Sequence, residues 1–154
     1  MSLSSVKPKT IRSATAGKTY VDELTELSCS RRQVNDLTGI GWLTSLTFAD
    51  IGKNNIVDIS ELSGLINLQT LKLWFNDITD VTVLSGLTDL LSLDLRYNSI
   101  STGVAELVTL VNATTIDLGS NLDGSNNASI PCSDISTLET VLGTTVVVQG
   151  YVCQ

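Results

Sequence analysis

The chain of 154 residues suits one domain of ordinary size and carries a net charge of −7, from nine basic and sixteen acidic residues. It contains no histidine, which removes the commonest general base and zinc ligand, and its three dispersed cysteines do not make a zinc site. No run reaches the ~18 apolar residues of a membrane helix, and the acidic body lacks the clustered Lys and Arg that nucleic acid requires.

Residues 1–23 form a lead-in outside any regular pattern. The part up to about Gly17 is rich in Ser, Thr and Lys. Tyr20 and Val21 then offer apolar groups to the unit that begins at Leu24, so the segment reads as an N-terminal cap. Met1 to Ser5 has no secretory apolar core and reads as an artificial start, which leaves room for a leader upstream in the natural protein. Charge is uneven: residues 1–32 balance to +3 and the remainder to −10. The basic end lacks a dense run and reads as a solvated tail rather than a membrane patch.

From Leu24 a unit recurs, with starts at 24, 46, 68, 90 and 113. Its clearest copies read Leu68, Leu71, Leu73, Asn76, Ile78 and Leu90, Leu93, Leu95, Asn98, Ile100, offset by 22 residues. A fixed period of this size is the mark of a solenoid. Counting each start as i, the inward i+3 and i+5 residues alternate with polar ones, which predicts a short half-buried strand. The Asn at i+8 comes next, where the chain must turn, and its amide both donates and accepts. Stacking predicts a buried ladder of Asn54, Asn76, Asn98 and Asn121. Apolar pairs three apart, Leu62 with Leu65 and Leu84 with Leu87, predict a short 3₁₀ or helical turn on the opposite side, with Gly64 and Gly86 allowing close or left-handed backbone. The fourth unit is one residue longer, near Gly103.

Residues 122–154 form a second cap. The Asn-rich loop from Asn121 to Asn127 does not match calcium-loop spacing and reads as a plain turn. A helix starts near Pro131, with Ser133 or Asp134 as its cap, Ile135, Leu138 and Leu142 as its apolar face, and Gly143 as its end. The β-branched run Val146 to Val148 predicts a strand before Cys153.

At Leu68-Gln-Thr-Leu-Lys-Leu-Trp-Phe-Asn-Asp-Ile78 the chain resembles the leucine-rich repeat family. The 22-residue period and the later steps Asp58-Ile59 and Asp80-Val81 are similar to the bacterial internalin-type subclass; phosphatase-regulatory repeat proteins share a similar unit. The resemblance covers residues 24–121. It implies an α/β solenoid, curved and right-handed, with a parallel β-sheet on the concave face and short 3₁₀ turns on the convex side. It also implies protein recognition rather than chemistry. Cys29 and Ala49 depart from the pattern at Leu positions, and Arg32 stands at an Asn position, which suggests that the first unit lacks the regular turn.

Strand alternation aims i+2, i+4 and i+6 outward, with i+7 beside them. Four of the seven aromatic residues fall in these columns: Phe48, Trp74, Phe75 and Tyr97. Neighbouring rungs lie about 4.8 Å apart, so Trp74 is expected to stack on Arg96 and Phe75 on Tyr97. Exposed aromatics beside Arg have the composition of binding hot spots; the alternative is rings that only pack on one another. Lys72 falls between Asp50 and Asp94 in one column, which reads first as a self-satisfied ladder and second as a strip that selects a partner. Asp50, Asp94 and Asp117 share that column without a pocket, which argues against a metal site or a glycosidase pair.

Cys29 takes an inward position and reads as a buried thiol. A bond between Cys132 and Cys153 would close a loop of ~20 residues across the cap and stabilise by ~3 kcal/mol. It points to an oxidising compartment, secreted or at the cell surface or periplasm; without it the cytoplasm is expected. Asn112-Ala-Thr114 and Asn127-Ala-Ser129 fit the glycosylation pattern, with Asn112 expected to face the next unit. The resulting expectation is a monomeric, non-catalytic recognition or adhesion module without cofactor or metal. It would bind a protein, ahead of a glycan, through Phe48, Lys72, Trp74, Phe75, Asp94, Arg96 and Tyr97. The alternatives are a structural spacer in a larger surface protein and a cytosolic regulatory repeat protein.

Overall fold

The computed structural model describes residues 24–119 and 130–143. Five three-residue strands, β1 (Glu26–Ser28), β2 (Phe48–Asp50), β3 (Thr70–Lys72), β4 (Ser92–Asp94) and β5 (Thr115–Asp117), form one parallel sheet in chain order. The register pairs equivalent positions throughout: Glu26 with Phe48, Phe48 with Thr70, Thr70 with Ser92, Ser92 with Thr115. The architecture is a curved leucine-rich repeat solenoid, with the sheet on one side and 3₁₀ turns on the other.

The return side is set by simple periodicity. A 3₁₀ helix has three residues per turn, so residues three apart share a face. Leu62 donates its amide to Ile59, Leu65 to Leu62 and Leu68 to Leu65, each at 3.0 Å. The matching series Val81, Leu84, Leu87 and Leu90 does the same, and all these Leu side chains are fully buried. The turns span Ile40–Trp42, Ser60–Gly64, Thr82–Gly86 and Ala105–Thr109, and successive turns pack on one another. Gly64 and Gly86 close two of them without positive φ, and a Cβ at Gly86 would meet open space. The left-handed freedom expected there is unnecessary, because a 3₁₀ turn keeps φ negative.

Asp residues start these turns. Asp36, Asp58 and Asp80 each accept the backbone amide two residues on, at 2.8 Å, from Thr38, Ser60 and Thr82. The fourth unit breaks this pattern. Its extra residue is absorbed at Gly103, with φ +90°, where a Cβ would overlap the amide nitrogen of Thr82. Gly is required there twice over, by conformation and by space.

The Asn side chains tie the rungs together. Asn98 accepts from the Ile78 amide at 3.2 Å and donates to Leu73 of the preceding rung and to Leu95 and Arg96 of its own, at 3.1, 2.9 and 3.2 Å. Asn76 accepts from Ile56 and donates to Ile51 and Leu73. Asn54 accepts from both Arg32 and Val34 and reaches the Cys29 carbonyl. The first rung therefore receives its bridge from Asn54, although its own Asn position holds Arg32. Gln33 has positive φ there, which its counterparts in the later rungs do not, so this turn differs from theirs. Asn121 lies outside the described residues.

Helix α1 (Cys132–Leu142) packs on the last 3₁₀ turn, burying Ile135 and Leu138 and half-burying Leu142. Its N-cap is Pro131, without a side-chain cap. Ser133 and Asp134 are inside the helix instead, where Asp134 suits the positive end of the helix dipole. The strand expected over Val146 to Val148 and the partner Cys153 lie outside the described residues. Among the described residues no helix is long and apolar enough to cross a membrane.

Candidate functional site

Each strand presents the alternation its sequence dictates. The central residues Ala49, Leu71, Leu93 and Ile116 are buried, while their neighbours on the other face are half-buried. No described aromatic side chain lies in the core: Phe48, Trp74 and Tyr97 are half-buried, and Phe75 and Trp42 are exposed.

The i+7 position has a geometry the amino-acid pattern does not announce. Arg31, Lys53, Phe75 and Tyr97 all have φ between +51° and +59°. Left-handed backbone costs an L-residue roughly 1–2 kcal/mol. It recurs because it keeps the rung-to-rung hydrogen bonds running beyond the strand. Lys53 donates to Trp74 at 2.7 Å, Phe75 to Arg96 at 2.8 Å and Tyr97 to Gly119 at 3.2 Å. The side chains at i+7 consequently line up across rungs. Lys53 Nζ lies 5.6 Å from the centre of the Phe75 ring, and Phe75 meets Tyr97 edge-on with centroids 6.1 Å apart.

The expected stack of Trp74 on Arg96 is replaced by a different arrangement. The indole of Trp74 lies back over Gly52, filling the space a Cβ there would occupy. Arg96 instead forks onto Asp94, with Nε to Oδ1 at 3.0 Å and Nη2 to Oδ2 at 2.7 Å, and Nε also reaches Asp117 at 3.2 Å. A guanidinium prefers two planar carboxylate bonds to a ring face when a carboxylate is in reach. Lys72 is likewise not the link between Asp50 and Asp94. Its Nζ sits 5.5 Å from the centre of the Phe48 ring, and the ion pairs among the described residues all belong to Arg96.

The Asp column has a structural occupation. Asp50, Asp94 and Asp117 accept the amides of Gly52, Arg96 and Gly119, at 3.2, 3.2 and 3.0 Å, closing the strand ends. Burial pushes the Asp117 carboxyl above its ordinary value, against the lowering effects of the Gly119 amide and Arg96; Arg96 itself is held more firmly protonated by its hydrogen bond to Asp94. Cys29 is half-buried rather than buried, and its thiol is pushed up by burial. Asn112 is exposed and reaches back to the Thr88 carbonyl at 3.0 Å, not toward the next unit.

The structure thus brings Phe48 with Lys72, Phe75 with Tyr97, and Asp94 with Arg96. Two contributors escaped the sequence reading: Lys53, legible from its place beside Phe75 in the i+7 column, and Gly52, legible as a small residue beside Trp74 at i+6.

Residues 44–86 match the family model described as Leucine Rich repeats (2 copies). Comparison with curated protein sequences returns no match. Among solved structures, internalin C2 from Listeria monocytogenes is similar at 28% identity and TM-score 0.68, over 82% of this chain and 53% of that one. An internalin, inlF, from the same species is similar at 26% identity and TM-score 0.67, over 86% of this chain and 36% of that one. The functional domain of InlJ, also from Listeria monocytogenes, is similar at 26% identity and TM-score 0.57, over 66% of this chain and 26% of that one. The chain spans at most about half the length of these relatives.

Proposed function

The chain is a leucine-rich repeat protein of the internalin-like kind, and from that premise we propose that the outward face of its sheet is a protein-binding surface with no catalytic role. The leucine-rich repeat fold is generally a protein-interaction module. The observation that carries the assignment to this face is the distribution of its rings. Among the described residues the core is built of aliphatic side chains and Asn, while four of the five rings, Phe48, Trp74, Phe75 and Tyr97, lie on one face and Trp42 lies on a turn. Phe75 is 47% exposed, so the cluster is not collapsed beneath another described segment. Rigid aromatic side chains fixed by cation and edge contacts lose little freedom when a partner arrives, which is what a hot spot needs. This favours recognition over a spacer role.

The test is a sorted library of displayed natural protein fragments. Fragments selected on the wild-type chain should lose binding when Trp74→Ala and Tyr97→Ala are introduced with the fold intact. Unchanged affinity in both variants would remove this site. We further place the module outside the cytoplasm, on the premise of a Cys132–Cys153 bond. Thiol counting on native protein, denatured without reductant, should then find one free thiol; three would return the protein to the cytosol.

A further inference from the structure

The sheet face differs from the rest of the molecule in charge as well as in rings. Five cationic residues lie within the described residues, and four of them are on this face: Lys72 at i+4, Arg96 at i+6, and Arg31 and Lys53 at i+7; the fifth, Arg32, takes the Asn position at i+8. Of the thirteen described carboxylates, only Glu26, Asp50, Asp94 and Asp117 share it; the other nine lie on the turns, the flanks and α1. Three of those four close strand ends through backbone amides, and two are also taken up by Arg96. A protein of net charge −7 therefore turns outward a face on which four cations balance four carboxylates, while the remaining described surface holds nine carboxylates and one cation.

The cations are not equivalent. Arg96 is neutralised by Asp94 and Asp117 and serves to hold the face rigid. Lys53 and Lys72 lie over Phe75 and Phe48, contacts that leave ammonium N–H groups for a further acceptor. Arg31 is exposed and continues the i+7 column beyond Lys53. Along that column the order is Arg31, Lys53, Phe75, Tyr97, cationic at one end and aromatic at the other.

Deepening the reading of this face as a protein-binding surface, on which it rests, we infer that the partner is an acidic protein segment. Its carboxylates meet Lys53, Lys72 and Arg31, and an adjacent apolar or aromatic part meets Phe75 and Tyr97. The nine carboxylates elsewhere repel such a segment from the other sides of the solenoid, so the field of the whole chain directs it to this face.

The test is a titration of the full chain with a fluorescein-labelled Glu–Tyr copolymer peptide, read by anisotropy at about 50 and about 300 mM NaCl. A Lys–Tyr copolymer, heparin and phosphatidylglycerol vesicles are run alongside. The Glu–Tyr peptide should bind, more weakly at the higher salt, and the Lys–Tyr peptide should not. The double variant Lys53→Glu/Lys72→Glu, which changes two outward side chains, should weaken Glu–Tyr binding at least about tenfold. Equal binding by that variant overturns the inference. So does tighter binding of heparin or vesicles than of the peptide, which would point to an anionic glycan or a lipid surface. Displayed fragments that bind through Trp74 and Tyr97 but are neutral or basic would overturn the acidic partner and leave the face standing. Fragments insensitive to Trp74→Ala and Tyr97→Ala would remove the face itself.

Discussion

Replacement of Asn98 by Ala tests the internal logic of the stack. Asn98 has no exposure to solvent and serves two rungs at once. Its removal does not orphan every partner. The Leu73 carbonyl keeps its bond from Asn76, and the Arg96 carbonyl keeps the Phe75 amide. The Ile78 amide is the group that loses its acceptor, in a site closed to solvent, and the Leu95 carbonyl loses one donor. An orphaned buried polar group costs about 1–3 kcal/mol, so Asn98→Ala should cost about 2–4 kcal/mol. Asn67→Ala is the control, because its exposed amide makes one bond, to Thr44, and its loss should stay within about 0.5 kcal/mol. Urea denaturation followed by circular dichroism measures both. Hydrogen exchange should show the Ile78 amide losing protection in Asn98→Ala while the strand amides of β1 keep theirs. A destabilisation of Asn98→Ala equal to that of Asn67→Ala would refute the claim that the ladder joins the rungs.

The same geometry sets further outcomes. Gly103→Ala must accept both positive φ and overlap with Thr82, and should cost about 2–4 kcal/mol in the same urea assay. Arg96→Gln removes both ion pairs of an Arg side chain that is 40% exposed, so its stability cost should be about 1 kcal/mol. It should nevertheless push the Asp117 titration, followed by carboxyl NMR, further upward, because Arg96 is one of the groups holding it down. The two shifted carboxylates act oppositely with pH. Asp117 is raised in the folded state, so its contribution is present below the unfolded carboxylate value and lost as pH rises through the folded one. Asp80 is lowered by its bonds from Thr82, so its contribution is present above the unfolded value and lost as pH falls through the folded one. Asp80→Ala should therefore flatten the rise in stability from acid to neutral pH, and Asp117→Asn should steepen it.

Most of the fold was legible because inward positions are decided by side chains alone. Leu, Ile and Asn at fixed offsets admit one way of stacking, and pairs three apart admit a 3₁₀ turn. The face was less legible because its arrangement depends on competition among neighbours. Trp74 had Arg96 and Gly52 on either side, and only the geometry reveals that Arg96 is claimed by two carboxylates while Gly52 leaves room for the indole. The Asp residues at i+4 looked like a charge column because their bonds to backbone amides two residues on leave no mark in composition. The left-handed step at i+7 was hidden for a related reason. Arg, Lys, Phe and Tyr hold it here, and none of them signals positive φ.

The most direct measurement of the central claim is a footprint on the chain itself. Displayed natural fragments selected on the wild type would be mapped by amide chemical-shift changes over the whole chain. The changes should concentrate at Lys53, Lys72, Trp74, Phe75 and Tyr97, across neighbouring rungs of the sheet. Changes concentrated on the 3₁₀ turns around Glu61, Ser85 and Glu106, with the sheet face silent, would contradict it.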